Sequence, residues 1–123
     1  MGVQKAQGEW SRFLASLKHA SAGIAKTWAS ERNFQIQTVI GVWVMVAAAW
    51  LKFELWRWAI LLVVIGIVLA GELLNTAIEG VWEEAGQSEG VKRSKDAAAG
   101  AVLLLAGMAV VVGVVLFWEP LTR

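Results

Sequence analysis

The chain has 123 residues, 58% of them hydrophobic and 17% charged, with one proline, no cysteine and a formal net charge of +1. A composition this apolar excludes an ordinary soluble domain of the same size, and the length allows one compact unit, residues 1–123. Without cysteine there is no disulfide, zinc thiolate or thiol nucleophile, and nucleic acid is not among the expected partners.

The first 32 residues are polar and charged and lack the central apolar run of a signal peptide, so no cleavage is expected. Between residues 9 and 31, Trp10, Phe13, Leu14, Leu17, Ile24 and Trp28 recur at three- and four-residue steps. Arg12, Ser16, His19 and Lys26 fall largely elsewhere on the wheel. A basic helix with such a stripe suits the membrane surface, and the same stripe could instead pack on the protein's own spans. The single histidine, His19, reads as a solvated side chain on that helix.

Residues 33–51 form an uncharged segment close to the roughly 20 residues a helix needs to cross a bilayer. A second apolar segment runs from 55 to 82 if Glu72 and Glu79 are accommodated, and a third from 97 to 118. In lipid a helix satisfies its own backbone, so the expected fold is all-α and integral to the membrane, a surface helix followed by three transmembrane helices. Trp50, Trp56 and Trp58 cluster at the first turn-around, while Trp82 and Trp118 close the second and third spans. Trp43 is mid-span and reads as packing.

Lys5, Arg12, Lys18, Lys26, Arg32, Lys92, Arg93 and Lys95 fall on one side of such a topology, against Lys52, Arg57 and Arg123 on the other. That bias predicts a cytoplasmic N-terminus and a cytoplasmic loop over 83–96. Small residues (Gly66, Ala70, Gly100, Ala106, Gly107 and Gly113) predict close helix approach, within the bundle or between subunits.

The stretch GELLNTAIEG at 71–80 breaks the apolar pattern without breaking the helical one. At 3.6 residues per turn, Glu72, Asn75, Thr76, Glu79 and Glu83 share one face of the second span. Glu79 then sits near the cytoplasmic interface and Glu72 about 10 Å deeper. A carboxylate at that depth is costly unless paired, protonated or metal-bound, and marks a functional site. Helix–helix hydrogen bonding alone needs only an Asn or Thr, at lower cost. The pair suits a base, Glu72, acting on a lipid alcohol beside a site for a hard cation such as magnesium, which shares its shell with nucleotide phosphates. Glu31 lies at the same cytoplasmic level. Lys92, Arg93, Lys95 and Asp96 could neutralise phosphates, or the basic residues could serve as a positive-inside anchor. No GxxxxGK[ST] loop is present, which excludes a soluble-type nucleotide fold of that kind.

SERNF at 30–34, ELLNTAIE at 72–79 and KDAAAGAV at 95–102 together resemble the prokaryotic diacylglycerol kinase and undecaprenol kinase family of small integral-membrane lipid kinases. The resemblance extends from Arg12 to about Phe117. It implies a homotrimer in the bacterial inner membrane with sites at the cytoplasmic interface between subunits, and ATP with Mg2+ as phosphoryl donor to a lipid alcohol. By position, Glu72 matches the family's catalytic base, Glu31 and Glu79 its metal-binding carboxylates, and Asn75 the asparagine beside them. Lys95 and Asp96 match an ATP-contacting pair, and Arg12 an N-terminal arginine near the substrate.

The chain departs from the family pattern at two places. Residues 84–92 are shorter than usual and lack histidine, with Glu83 where the family has Asp. Gln35-Ile36-Gln37 stands where Arg-Ile-His is more usual, and Glu31-Arg32-Asn33-Phe34 points to undecaprenol rather than diacylglycerol as acceptor. Two other readings compete. A small proton-coupled transporter using Glu72 expects its carboxylate near the midplane and no further acidic and basic groups beside it. A non-catalytic membrane subunit leaves Glu31, Glu72 and Glu79 without a purpose.

Overall fold

The computed structural model describes residues 2–123, and the chain divides after Glu31 into two units. The first unit is helix α1, Gly2–Ser30; the second holds α2, Arg32–Trp50, α3, Leu55–Ala85, and α4, Glu89–Thr122. All three helices of the second unit are long and apolar enough to cross a membrane.

Three of these helices exceed the sequence-based bounds. α1 begins at Gly2 rather than residue 9, α3 runs to Ala85 rather than 82, and α4 covers 89–122 rather than 97–118. Hydropathy registers only the part of a helix that suits lipid, whereas Lys, Glu, Ala and Gln continue it into water at little cost. The segment 83–96, expected as a loop, is therefore helical except for Gly86–Ser88. Gly86 turns the chain with φ 79°, and the Ser88 hydroxyl caps α4 by accepting from the Val91 backbone N–H at 3.3 Å.

α1 carries its apolar stripe as expected, with Trp10, Phe13, Leu17, Ile24 and Trp28 exposed and the Trp10 and Phe13 rings stacked 5.6 Å apart. Near its end, the Thr27 and Ser30 hydroxyls donate back to the Gly23 and Lys26 carbonyls, each at 2.9 Å.

α2 ends in a Schellman motif. Phe53 N–H donates to the Ala48 carbonyl at 3.0 Å and Lys52 N–H to Ala49 at 3.1 Å, with Lys52 in the left-handed conformation at φ 55°. The hydrophobic contact that accompanies the motif seeds the core: Ala48 and Phe53 pack with Leu61 and Leu116, flanked by Trp58 and Phe117. The Phe53 and Phe117 ring centroids are 4.6 Å apart.

At this end of the bundle Arg57, 8% exposed, ties α3 to α4. Pro120 sits inside α4 and has no N–H to give the Leu116 carbonyl four residues earlier. Arg57 Nη1 donates to that carbonyl at 2.6 Å, and Nη2 donates to Glu119 Oε2 at 3.1 Å. The guanidinium also lies 4.5 Å from the Trp56 ring centroid. Arg123 closes the cluster by donating to Glu119, a bond that holds its guanidinium above the usual range.

The close helix approaches fall at two glycines other than those singled out by spacing. A Cβ at Gly41 would meet the Ile65 side chain at 3.2 Å, and one at Gly71 would overlap Leu105. Gly66, Gly100, Gly107 and Gly113 have open space beside them in the single chain. Large side chains such as Trp43, Leu62, Leu103 and Val110 face outward, a surface suited to lipid rather than water.

Candidate active site

The polar stripe of α3 forms as the 3.6-residue period requires, and it is graded. Glu72 and Asn75 are buried, 3% and 8% exposed, Thr76 and Glu79 are half-buried, and Glu83 is exposed. A chain of polar groups thus leads from the open end of α3 to a carboxylate inside the bundle.

Each of the two inner carboxylates faces an amide. Gln37 of α2 donates through Nε2 to Glu72 Oε2 at 3.3 Å, and Asn75 donates through Nδ2 to Glu79 Oε1 at 3.2 Å. The Thr76 hydroxyl turns back to the Glu72 carbonyl at 3.0 Å, leaving the Glu72 carboxylate to its side-chain neighbours. Because an ionised carboxylate only accepts, these contacts orient both amides, with NH2 toward the carboxylate and oxygen away. The oxygens, Gln37 Oε1 and Asn75 Oδ1, are buried without a hydrogen-bond partner. A buried amide oxygen in that state wants a donor or a cation.

Lys95, half-buried at the start of α4, lies with Nζ 5.1 Å from the Trp82 ring centroid of α3. Asp96 pairs with Lys92 at 3.3 Å rather than with Lys95. Both partners of that pair are well exposed, so it contributes little to stability. Arg12 is exposed on α1, and Glu31 is half-buried just after it, its backbone N–H donating to the Thr27 carbonyl at 2.8 Å.

The structure therefore brings Glu72, Asn75 and Glu79 together with Gln37, and places Lys95 against Trp82. Arg12 and Glu31 belong to the first unit. Among the described residues, no three acidic or histidine side chains gather into a metal-holding group. On the α3 stripe the half-buried Glu79 carboxylate, nearest the open end of the two inner carboxylates, is an oxygen donor of the kind magnesium prefers.

Sequence reasoning missed the parts played by Gln37, Trp82 and Arg57. Gln37 had a weak signal, a polar amide inside an uncharged span, which Asn33 and Gln35 share. Trp82 read only as an interface marker and Arg57 only as a charge at the outer boundary.

The sequence profile of the family described as prokaryotic diacylglycerol kinase matches residues 18–117. A diacylglycerol kinase of Synechocystis sp. is 46% identical over 112 residues, covering 89% of this chain and 64% of that protein. The chain thus spans somewhat less than two thirds of that relative's length. An undecaprenol kinase of Bacillus subtilis is 34% identical over 117 residues, covering 94% of this chain and 95% of that protein. A diacylglycerol kinase of Escherichia coli is 28% identical over 112 residues, covering 89% and 92%.

Proposed function

The chain belongs to the prokaryotic diacylglycerol kinase family, and from that membership we propose that it is a lipid kinase that phosphorylates a lipid alcohol at the Glu72 end of its helical bundle. The observation that carries this reading is the buried Glu72 carboxylate, aligned with Asn75 and Glu79 on one face of a helix apolar enough to span a membrane. None of these relatives favours the proton-coupled transporter.

The proposed reaction uses ATP. Glu72 accepts the hydroxyl proton of the lipid as its oxygen bonds to the γ-phosphorus. The bond from that phosphorus to the bridging oxygen breaks, and ADP leaves. Glu79 would hold Mg2+ with the nucleotide, and Glu31 is the second metal carboxylate that the family resemblance implies. When bound, the ion neutralises phosphate charge that builds up during transfer. Lys95, held against Trp82, is a cation for the phosphates, Asp96 accompanies it, and Arg12 serves the substrate end. The shortened segment 84–92 is two helix ends joined by the short break Gly86–Ser88, so its nucleotide contacts would come from helix ends. The proposed setting is a bacterial inner membrane with the N-terminus cytoplasmic, and the proposed assembly is a homotrimer.

Two acceptors are in view. The Glu31-Arg32-Asn33-Phe34 form supports undecaprenol, while the 46% identity to a protein named diacylglycerol kinase favours diacylglycerol. The test is incubation of the purified protein in detergent with labelled ATP, magnesium and both alcohols. Transfer of label to lipid supports the kinase, and the ratio of the two kcat/KM values decides the acceptor. No label in any lipid alcohol would remove the kinase reading.

A further inference from the structure

A cavity of about 370 Å³ opens among α2, α3 and α4. That size is ordinary for a small-ligand site, but the walls are unusual. Val44, Leu61, Val68, Ala109 and Leu116 contribute to them, and Gln37 is the only lining residue with a polar side chain. The lining runs along α3 from Leu61 to Leu69 and along α4 from Ala106 to Phe117, an extent of about 12–16 Å at 1.5 Å per residue. A long dry groove of this kind accepts a hydrocarbon chain and penalises a polar molecule.

Gln37 stands at the end of the groove nearest Glu72, because the lining of α3 stops at Leu69, one turn before that carboxylate. Its Nε2 is committed to Glu72 Oε2, which fixes the direction of the amide. Its Oε1 is buried with no hydrogen-bond partner. An unanswered acceptor at the head of an apolar groove calls for a ligand with a long chain and a single terminal donor.

We propose that Gln37 is a specificity-determining residue that docks the hydroxyl of a long-chain lipid alcohol, whose hydrocarbon chain lies in the groove between α2, α3 and α4. This rests on the lipid-kinase reading of the Glu72 site. The amide oxygen receives the hydroxyl as the lipid enters, and the neighbouring Glu72 carboxylate is the next acceptor for its proton. The Gln37–Glu72 contact thereby presents the two acceptors side by side.

The chain has no cysteine, so Ala109→Cys carries a single bimane fluorophore into the groove wall of the full-length protein. The probes are a tail-brominated long-chain alcohol and its methyl ether, titrated in detergent without nucleotide. Both chains are expected to quench the fluorophore, the alcohol with about tenfold higher affinity, the scale of one buried hydrogen bond. In Gln37→Leu that preference is expected to vanish while the affinity for the ether stays the same; Gln37→Met gives the same comparison should the leucine variant not fold. A preference retained in these variants overturns the proposal, and so does a labelled protein that neither probe quenches. A Gln37-dependent preference in a protein that transfers no label from ATP would leave this inference standing and remove the kinase reading.

Discussion

Arg57 donates to the carbonyl of Leu116 at 2.6 Å, at the one point of α4 where Pro120 withholds the helix's own donor. The two residues are 59 positions apart, and both are buried. A helix-breaking residue and a buried charge, each costly alone, thus answer one another.

The relationship predicts non-additivity. Arg57→Leu leaves the Leu116 carbonyl unsatisfied and should cost about 1–3 kcal/mol. Pro120→Ala restores an N–H that can reach the same carbonyl, so in that background Arg57→Leu should cost clearly less. Thermal unfolding of the four proteins in one detergent measures the cycle. Additive losses would mean that the arginine acts only through Glu119 and the Trp56 ring.

The charge bias and the three candidate spans together predict a topology. Cysteines introduced at Gln87 and Thr122 should react with a membrane-impermeant reagent from opposite sides of the membrane, Gln87 from the cytoplasm. Gln87 is exposed and leaves the Ser88 cap intact. Labelling of both from one side would rule out an odd number of crossings.

The polar stripe of α3 was legible in the sequence because a helix's period alone places Glu72, Asn75 and Glu79 on one face. The fold class was legible for a similar reason, since three apolar stretches of bilayer length have few alternatives. What escaped was whatever depends on residues distant in sequence. Gln37 meets Glu72 across 35 positions, and nothing local marks it as the partner. The start of α4 escaped differently. Residues 89–96 are too polar for a span, yet Ser88 caps them and Glu89 suits the first turn of a helix. Within the single chain, close approach depends on which face of a helix meets a neighbour, and the faces in contact carry Gly41 and Gly71.

Glu79 offers a separate test of the cation. It accepts from Asn75 at 3.2 Å, and Gln keeps its size while removing a charge that magnesium prefers. Glu79→Gln should raise the magnesium concentration for half-maximal phosphoryl transfer and lower the rate severely. An unchanged magnesium dependence would assign Glu79 to holding Asn75 in place and nothing more.

Glu72 as the base is the central claim, and turnover of Glu72→Gln tests it most directly. Glutamine keeps the volume and can still meet the Gln37 amide, but it cannot take a proton. The variant should fold, bind ATP as the parent does and match or exceed its thermal stability, since a carboxylate is the costlier group to bury in a membrane span. Its turnover with a lipid alcohol, ATP and magnesium should fall by about 10²-fold or more. Near-parental turnover would contradict the account and move the base to another residue.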